Sequence, residues 1–244
     1  MKRIGIIGSE GRMGRALVAA ITEAGLAHAG GVDRNDDVTA LAAISDALVD
    51  FSSPQALEAN LNAALMHNCP IIIGTTGLEE RHHWLIDEAA KRIAVLQTGN
   101  TSLGVTLLSA LVKQAATTLG PDWDVEILEM HHRHKLDAPS GTAMMLGEAA
   151  ASGRGIELAS HSERGRDGVT GARERGAIGF ASLRGGTVAG DHSVIFATEG
   201  ETLTLSHHAM SRAIFARGAV RAARWLCGTD AGRYQMGDVL YLSL

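Results

Sequence analysis

The sequence predicts an α/β protein with a Rossmann-like parallel sheet, joined to an α+β part with a mixed or antiparallel sheet. Three observations carry this. Short apolar runs alternate with helically spaced segments between Arg3 and Gln97, the first run ends in a glycine-rich turn, and beyond Leu103 consecutive strands with glycine-containing turns replace the alternation.

The elements follow in order. Residues 3–7 are apolar and close on Gly8, and 11–24 have helical spacing, which reads as strand, glycine turn, helix. Residues 27–32 are a weaker strand closed by Asp33 and Arg34; 47–51 are a third, after which Pro54 opens a helix through Leu65. A fourth strand at 70–73 ends in Gly74-Thr75-Thr76-Gly77, and a helix over 79–91 leads to a fifth at 93–97. Strands that alternate with helices build a parallel sheet covered on both faces.

In the second part, 104–119 read as a helix, 123–130 as an amphipathic strand, and 142–151 as a helix opened by Ser140-Gly141. Glycine and arginine dominate 153–175, which predicts a long mobile surface loop. Strands at 177–184, 193–198 and 202–208 are separated by short turns, which implies antiparallel pairing. A last helix, 211–226, carries Trp225 on its apolar face and can return to the first sheet.

Composition narrows the function. The chain has 244 residues, 45% hydrophobic and 20% charged, which suffices for one large core or two smaller ones. Lys and Arg total 22 against 27 Asp and Glu, so the global basic field that holds nucleic acid is absent. Cys69 and Cys227 lie far apart in no metal-ligand spacing, which favours a reducing compartment. Glu10 and Arg12 interrupt the first apolar stretch, and no uninterrupted membrane-length run follows, so a soluble cytoplasmic protein is expected.

The segment Gly8-Ser9-Glu10-Gly11-Arg12-Met13-Gly14 is a variant of the dinucleotide fingerprint. Its glycines admit a pyrophosphate to the backbone, where a helix N-terminus offers aligned N–H donors. Asp33 stands about 20 residues on, where a ribose-binding carboxylate is expected. Asp33 suits the ribose hydroxyls of NAD and Arg34 the 2′-phosphate of NADP, so the pair suggests tolerance of both; a solvated turn is the plainer reading. Residues 50–53, Gly74-Thr75-Thr76-Gly77 and Thr98-Gly99-Asn100-Thr101 place small or hydroxyl-bearing residues at three strand ends, the edge where open α/β sheets bind ligands.

Residues 129–142, E-M-H-H-R-H-K-L-D-A-P-S-G-T, are the most unusual stretch. Three histidines beside Arg133 and Lys135, in a chain of formal net charge −5, suit an anionic ligand and proton transfer. His131 and Lys135 share a face whether the chain is extended or helical. A metal held by His131, His132 and His134 is a second reading, although Arg133 and Lys135 would crowd it with positive charge; a solvated loop is a third. Ser140, Gly141 and Thr142 then open a helix whose first N–H groups can cradle a carboxylate. Together these describe a nicotinamide-dependent enzyme acting on a small anionic substrate. A thiohemiacetal-forming aldehyde dehydrogenase would need an activated cysteine, and neither Cys69 before Pro70 nor Cys227 at a helix end has that setting. A non-catalytic dinucleotide sensor would leave His131 and Lys135 without a role.

The strings GSEGRMG, GTTG, HHRHKLDAPSGTA, GFASLRGG and SRAIFARGAVRAARWL, in this order, resemble the 4-hydroxy-tetrahydrodipicolinate (dihydrodipicolinate) reductase family over nearly the whole chain. The resemblance implies NADH- or NADPH-dependent reduction of a small dicarboxylate to tetrahydrodipicolinate in diaminopimelate and lysine biosynthesis, usually by a homotetramer assembled through second-domain sheets. It implies a dinucleotide-binding domain of residues 1–102 and 213–244 around a substrate-binding and oligomerisation domain of 103–212, with closure between them. His131 would be proton donor or acceptor, Lys135 the proton donor and His132 a substrate contact, with Ser140, Gly141 and Thr142 at a substrate carboxylate. The cofactor would lie along Gly8, Ser9, Glu10, Gly11, Arg12, Met13, Asp33, Arg34, Gly74, Thr75, Thr76, Thr98, Gly99, Asn100 and Thr101; no metal is implied. Two stretches depart from the family pattern. The stretch from Asp33 to Asp50 is short, implying a trimmed or absent strand or helix, and Thr101 replaces an aromatic residue common in the family beside the nicotinamide.

Overall fold

Runs too apolar for a one-sided strand, such as Ile71–Ile73, become the buried centre of a parallel sheet. The computed structural model describes residues 1–242. In chain order the elements are β1 (Arg3–Ile7), α1 (Arg12–Glu23), β2 (Ala27–Val32), α2 (Val38–Ile44), β3 (Ala47–Asp50), α3 (Leu57–Met66), β4 (Ile71–Ile73), α4 (Glu80–Ala90) and β5 (Ala94–Gln97). There follow α5 (Leu103–Leu119), β6 (Asp124–His131), α6 (Gly141–Arg154), α7 (Leu158–His161), β7 (Ser162–Arg164), β8 (Ile178–Arg184), β9 (Asp191–Thr198) and β10 (Glu201–His208). The described chain closes with α8 (Ala213–Leu226), β11 (Gly232–Tyr234) and α9 (Met236–Val239). Two compact units result: Met1–Leu103 with Arg212–Tyr241, and Gly104–Ser211. Residues 243–244, at the end of the expected first domain, lie outside the described residues.

The first unit is a six-stranded sheet in the order β11-β5-β4-β3-β1-β2, parallel throughout, so the expected Rossmann-like architecture is present. Strand alternation sorts its side chains into two cores. Ile4, Ile6, Val49, Ile72 and Leu96 pack with Leu17 of α1 and with Val220 and Leu226 of α8. On the opposite face Ile7, Leu48, Ile71, Ile73 and Val95 pack with Leu41, Leu57 and Ile86 of α2, α3 and α4. The short stretch after Asp33 holds a helix of seven residues: Asp37 accepts from the N–H groups of Thr39 and Ala40 and starts α2.

The second unit's five strands run β10-β9-β6-β8-β7. β9 is antiparallel to β6 and β10, but β8 is parallel to β6 and β7, so the sheet is mixed rather than antiparallel. The cause is β6, which lies between β8 and β9 and prevents them from forming the hairpin that their sequence proximity suggests. Its burial strictly alternates, and Val125 and Ile127 join Val112 of α5 and Leu146 of α6 in the core. The arginine-rich stretch is more structured than the expected loop. It contains α7 and β7, and Arg173 binds Asp124 and Glu126 at 2.7 and 2.8 Å and the carbonyls of Val125 and Ala177. By length and composition Leu103–Asp122 could cross a membrane, but Leu108, Val112 and Ala116 lie in the second unit's core.

Candidate active site

The first unit brings the turns expected to bind a nucleotide to the carboxyl edge of its sheet. Ile7 pairs with Asp50, Asp50 with Ile73 and Ile73 with Gln97, so the turns beginning at Gly8, Phe51, Gly74 and Thr98 start at one level. Gly8 has φ 86°, and a Cβ there would meet the Phe51 carbonyl at 2.7 Å, so only glycine serves. Among the described residues no side chain caps the N-terminus of α1, whose N-cap is Gly11; Arg12 is exposed and Met13 half-buried. An uncapped helix start behind a glycine turn fits a pyrophosphate by charge and by space.

Asp33 stands at the end of β2 and faces this loop. Its Oδ2 accepts from Ser9 Oγ at 2.6 Å and from the Glu10 N–H at 3.0 Å, so the carboxylate braces the loop that it would help to load. Arg34 is exposed beside it. Under the β3 and β4 turns lies buried Asp50, which accepts from Ser52 N–H (2.8 Å), Ser52 Oγ (2.6 Å), Thr75 Oγ1 (3.3 Å) and Asn60 Nδ2 (2.9 Å). Burial pushes its carboxyl up, against the pull of the Ser52, Asn60 and Thr75 hydrogen bonds. Thr75 is thus a buried support, whereas Thr76 is exposed. Gly74 lies against the Phe51 ring, 2.4 Å from where a Cβ would sit.

After β5, Thr98 Oγ1 donates to the Asn100 carbonyl at 2.8 Å, and Asn100 Oδ1 accepts from Ser102 N–H at 2.8 Å, which shapes the turn around exposed Gly99. Thr101 is 2% exposed and donates its hydroxyl to the Phe215 carbonyl at 2.7 Å. Its side chain ties the turn to α8, which leaves only the backbone here to meet a ligand.

The second unit gathers the histidine segment at the end of β6. His131 is the last residue of the strand, and its Nδ1 lies 2.6 Å from Glu129 Oε2. Arg184, its register partner on β8, reaches both Glu129 oxygens at 2.8 and 2.9 Å, and Ser140 N–H donates to Glu129 Oε1 at 3.2 Å. Burial would raise the Glu129 carboxyl, but hydrogen bonds from Arg184, then His131 and Ser182, hold it down to about 2. Glu129, Arg184 and His192 were not singled out from sequence. The available signal was a carboxylate two residues before His131, on the same face of an alternating strand.

The remaining predicted residues lie on the connection to α6. His132 is half-buried, and Lys135 Nζ donates to Asp137 Oδ1 at 2.8 Å with its side chain 19% exposed. Ser140 is 2% exposed; its Oγ accepts from Ala143 N–H at 3.1 Å and lies 3.0 Å from His192 Nε2. Its side chain therefore caps the helix, while Gly141 and Thr142, one exposed and one half-buried, open α6 and present the backbone cradle. Among the described residues no group of three or more His, Cys, Asp or Glu is placed to hold a metal ion. Burial pushes the Cys69 thiol up to about 12 and also raises Cys227, which argues against an activated thiol.

His192 makes the site acid-sensitive. Burial, then the charge of nearby His131, depress it from 6.5 to about 4, and its Nδ1 is buried with no hydrogen-bond partner among the described residues. Below its ordinary value the unfolded chain takes up a proton that the folded chain refuses, so stability falls as pH drops from about 6.5 to about 4. His207, also lowered by burial, acts with the same sign. His192→Asn is expected to flatten the dependence of melting temperature on pH across this window; equal slopes in both proteins would contradict the assignment.

The chain matches the family models "Dihydrodipicolinate reductase, N-terminus" over residues 2–101 and "Dihydrodipicolinate reductase, C-terminus" over 104–240. It is 56% identical to the 4-hydroxy-tetrahydrodipicolinate reductase of Zymomonas mobilis, covering 98% of this chain and 97% of that one. A Rhodopseudomonas palustris (strain HaA2) protein of the same name is 49% identical over 99% of this chain and 98% of its own. Among solved structures, the dipicolinate-bound dihydrodipicolinate reductase of Paenisporosarcina sp. TG-14 superposes with a TM-score of 0.74 at 24% identity, covering 96% of this chain and 97% of that chain.

Proposed function

Because this chain belongs to the 4-hydroxy-tetrahydrodipicolinate (dihydrodipicolinate) reductase family of oxidoreductases, we propose that it reduces that substrate to tetrahydrodipicolinate with NADH or NADPH, in diaminopimelate and lysine biosynthesis. The observation that carries the reading furthest is the grouping of His131, Lys135 and the α6 N-terminus on one strand end and its connection. Dipicolinate, a dicarboxylate, is bound by the Paenisporosarcina reductase, which supports the same substrate class here.

Gly8 to Met13, Asp33, Arg34, Gly74 to Thr76 and Thr98 to Thr101 would hold the dinucleotide. When bound, the reduced nicotinamide supplies the hydride. Gly141 and Thr142 N–H groups receive one substrate carboxylate at the helix start, and His132 makes a further contact. Loss of the 4-hydroxyl as water, on the protein or before binding, leaves the conjugated imine; as hydride reached a ring carbon, electron density would move to the nitrogen or a neighbouring carbon, and the Lys135 ammonium would deliver the one proton needed there. Asp137, exposed and paired with Lys135, releases it as a substrate carboxylate takes its place. His131 would exchange that same proton with the surroundings, as donor or acceptor, so that one proton is consumed per hydride. The active form is a homotetramer working in the cytoplasm, without metal, membrane or nucleic acid.

The test is spectroscopic: the purified protein oxidises NADH or NADPH only when freshly made synthase product is added. No turnover with either nucleotide sinks the reading. Arg34 separates the two cofactors. Arg34→Ala is expected to weaken NADPH by about 10-fold and NADH by less than about 2-fold in direct titrations, the scale of a lost guanidinium–phosphate contact. Equal weakening would show that Arg34 does not read the 2′-phosphate.

A further inference from the structure

We propose that Glu129 and Arg184 are a positioning pair: Glu129 fixes His131 in the Nδ1–H tautomer with Nε2 as its working atom, and Arg184 secures Glu129 and the segment carrying Lys135. The proposal rests on the reading of His131 and Lys135 as the proton-handling groups.

Packing alone does not call for a carboxylate at this position. Glu129's side chain is 1% exposed, and burying an ion costs several kcal/mol unless partners compensate. Compensation is complete: two Arg184 nitrogens, the Ser140 N–H and His131 Nδ1 surround it. An ionised carboxylate is only an acceptor, so His131 Nδ1 must carry hydrogen. In the neutral ring that is its only N–H, which leaves the Nε2 lone pair as the acceptor. A second proton can enter and leave at Nε2 alone, and Glu129 then neutralises the ring's charge.

Room at Nε2 is preserved by an independent feature. Gly190, just before β9, has φ 154°, and a Cβ there would come within 3.0 Å of His131 Nε2. The other nitrogen has no such opening, being 2.6 Å from Glu129.

Arg184 extends the same control to Lys135. Its Nη2 donates both to Glu129 Oε1 and to the Asp137 carbonyl at 2.7 Å, and Asp137's carboxylate holds Lys135 Nζ. Ser140, three residues further on, is tied to Glu129 through its N–H. The segment between β6 and α6 is therefore anchored twice to one ion pair, with Lys135 just before the first anchor. His192 on β9, its ring 5.1 Å from that of His131, buttresses the imidazole edge-on.

Glu129→Gln tests this. Arg184 will claim the amide oxygen, which turns the amide NH2 toward His131 and makes Nδ1 the acceptor, so the ring proton should move to Nε2. Long-range 1H–15N spectra of the imidazole are expected to show the Nδ1–H tautomer in the wild type and Nε2–H in the variant. Turnover should fall at least about 10-fold with substrate KM within about 3-fold, because the wrong tautomer disables the transition state more than binding. Glu129→Asp, which keeps the acceptor charge, should recover part of the loss. An unchanged tautomer in Glu129→Gln, or a changed one with kcat within about 2-fold of wild type, overturns the proposal. Should Glu129→Gln fail to fold, the wild-type spectrum decides: a neutral Nε2–H ring overturns it. The spectra do not depend on turnover, so a failed reductase assay would count against the proposed function and leave the tautomer result standing.

Discussion

Lys135→Ala is expected to lower turnover by at least about 100-fold while nucleotide affinity stays within about 2-fold. The size is that of a positioned general acid, removed together with a charge that would face the proposed dicarboxylate. The selectivity follows from the structure. Lys135 belongs to the second unit, and the segment that carries it is held by Arg184 at the Asp137 carbonyl and by Glu129 at the Ser140 N–H, neither of which involves the lysine side chain. Truncation should therefore leave the fold and the first unit's proposed nucleotide-binding turns intact. Steady-state kinetics with each nucleotide, beside direct nucleotide titration, measure the two effects separately. Equal loss of nucleotide binding would indicate a folding defect rather than a missing acid.

Gly14→Ala should have the complementary effect. A Cβ on Gly14 would lie 2.3 Å from the Ser9 carbonyl oxygen and 2.4 Å from that of Gly8, and both obstacles are backbone. The loop must open or α1 must withdraw, and either displaces the N–H groups that would face the pyrophosphate. Overpacking of this kind costs about 1–3 kcal/mol, and a displaced phosphate cradle should weaken both NADH and NADPH by at least about 10-fold. Thermal melting and nucleotide titration check the two parts. Unchanged affinity for both nucleotides would mean that this turn does not carry the dinucleotide.

Much of the fold was legible because the local pattern and the tertiary environment agree. Strands such as β3 and β4 are apolar on both faces, and such runs between helical segments have one common solution, the covered parallel sheet. The mixed second sheet was not legible in the same way. β6 enters it from before α6 and separates β8 from β9, a non-local insertion that no local period records. β7, β11 and α9 are three or four residues long, too short for periodicity to register. The helix α2 did carry a sign, the cap residue Asp37, but its seven residues make barely two turns.

In the candidate site, sequence singled out the groups with unusual chemistry and missed those that hold them. His131 and Lys135 stand out as types in a run. Glu129 and Arg184 do not, because their pairing spans 55 positions and exists only once β6 and β8 lie side by side. The same limit applies to side chains that looked free in sequence. Ser140's hydroxyl caps α6, Thr101's binds α8, and Asp33 already holds Ser9 and the Glu10 N–H. Nothing in a linear sequence distinguishes a polar group that is spent on the fold from one held ready for a ligand.

The proposed chemistry can be followed by isotope. With nucleotide carrying deuterium at both nicotinamide C4 positions and freshly made synthase product as substrate, the account predicts tetrahydrodipicolinate bearing a single nucleotide-derived deuterium on carbon. Product without that label, or no product with either NADH or NADPH, would contradict it.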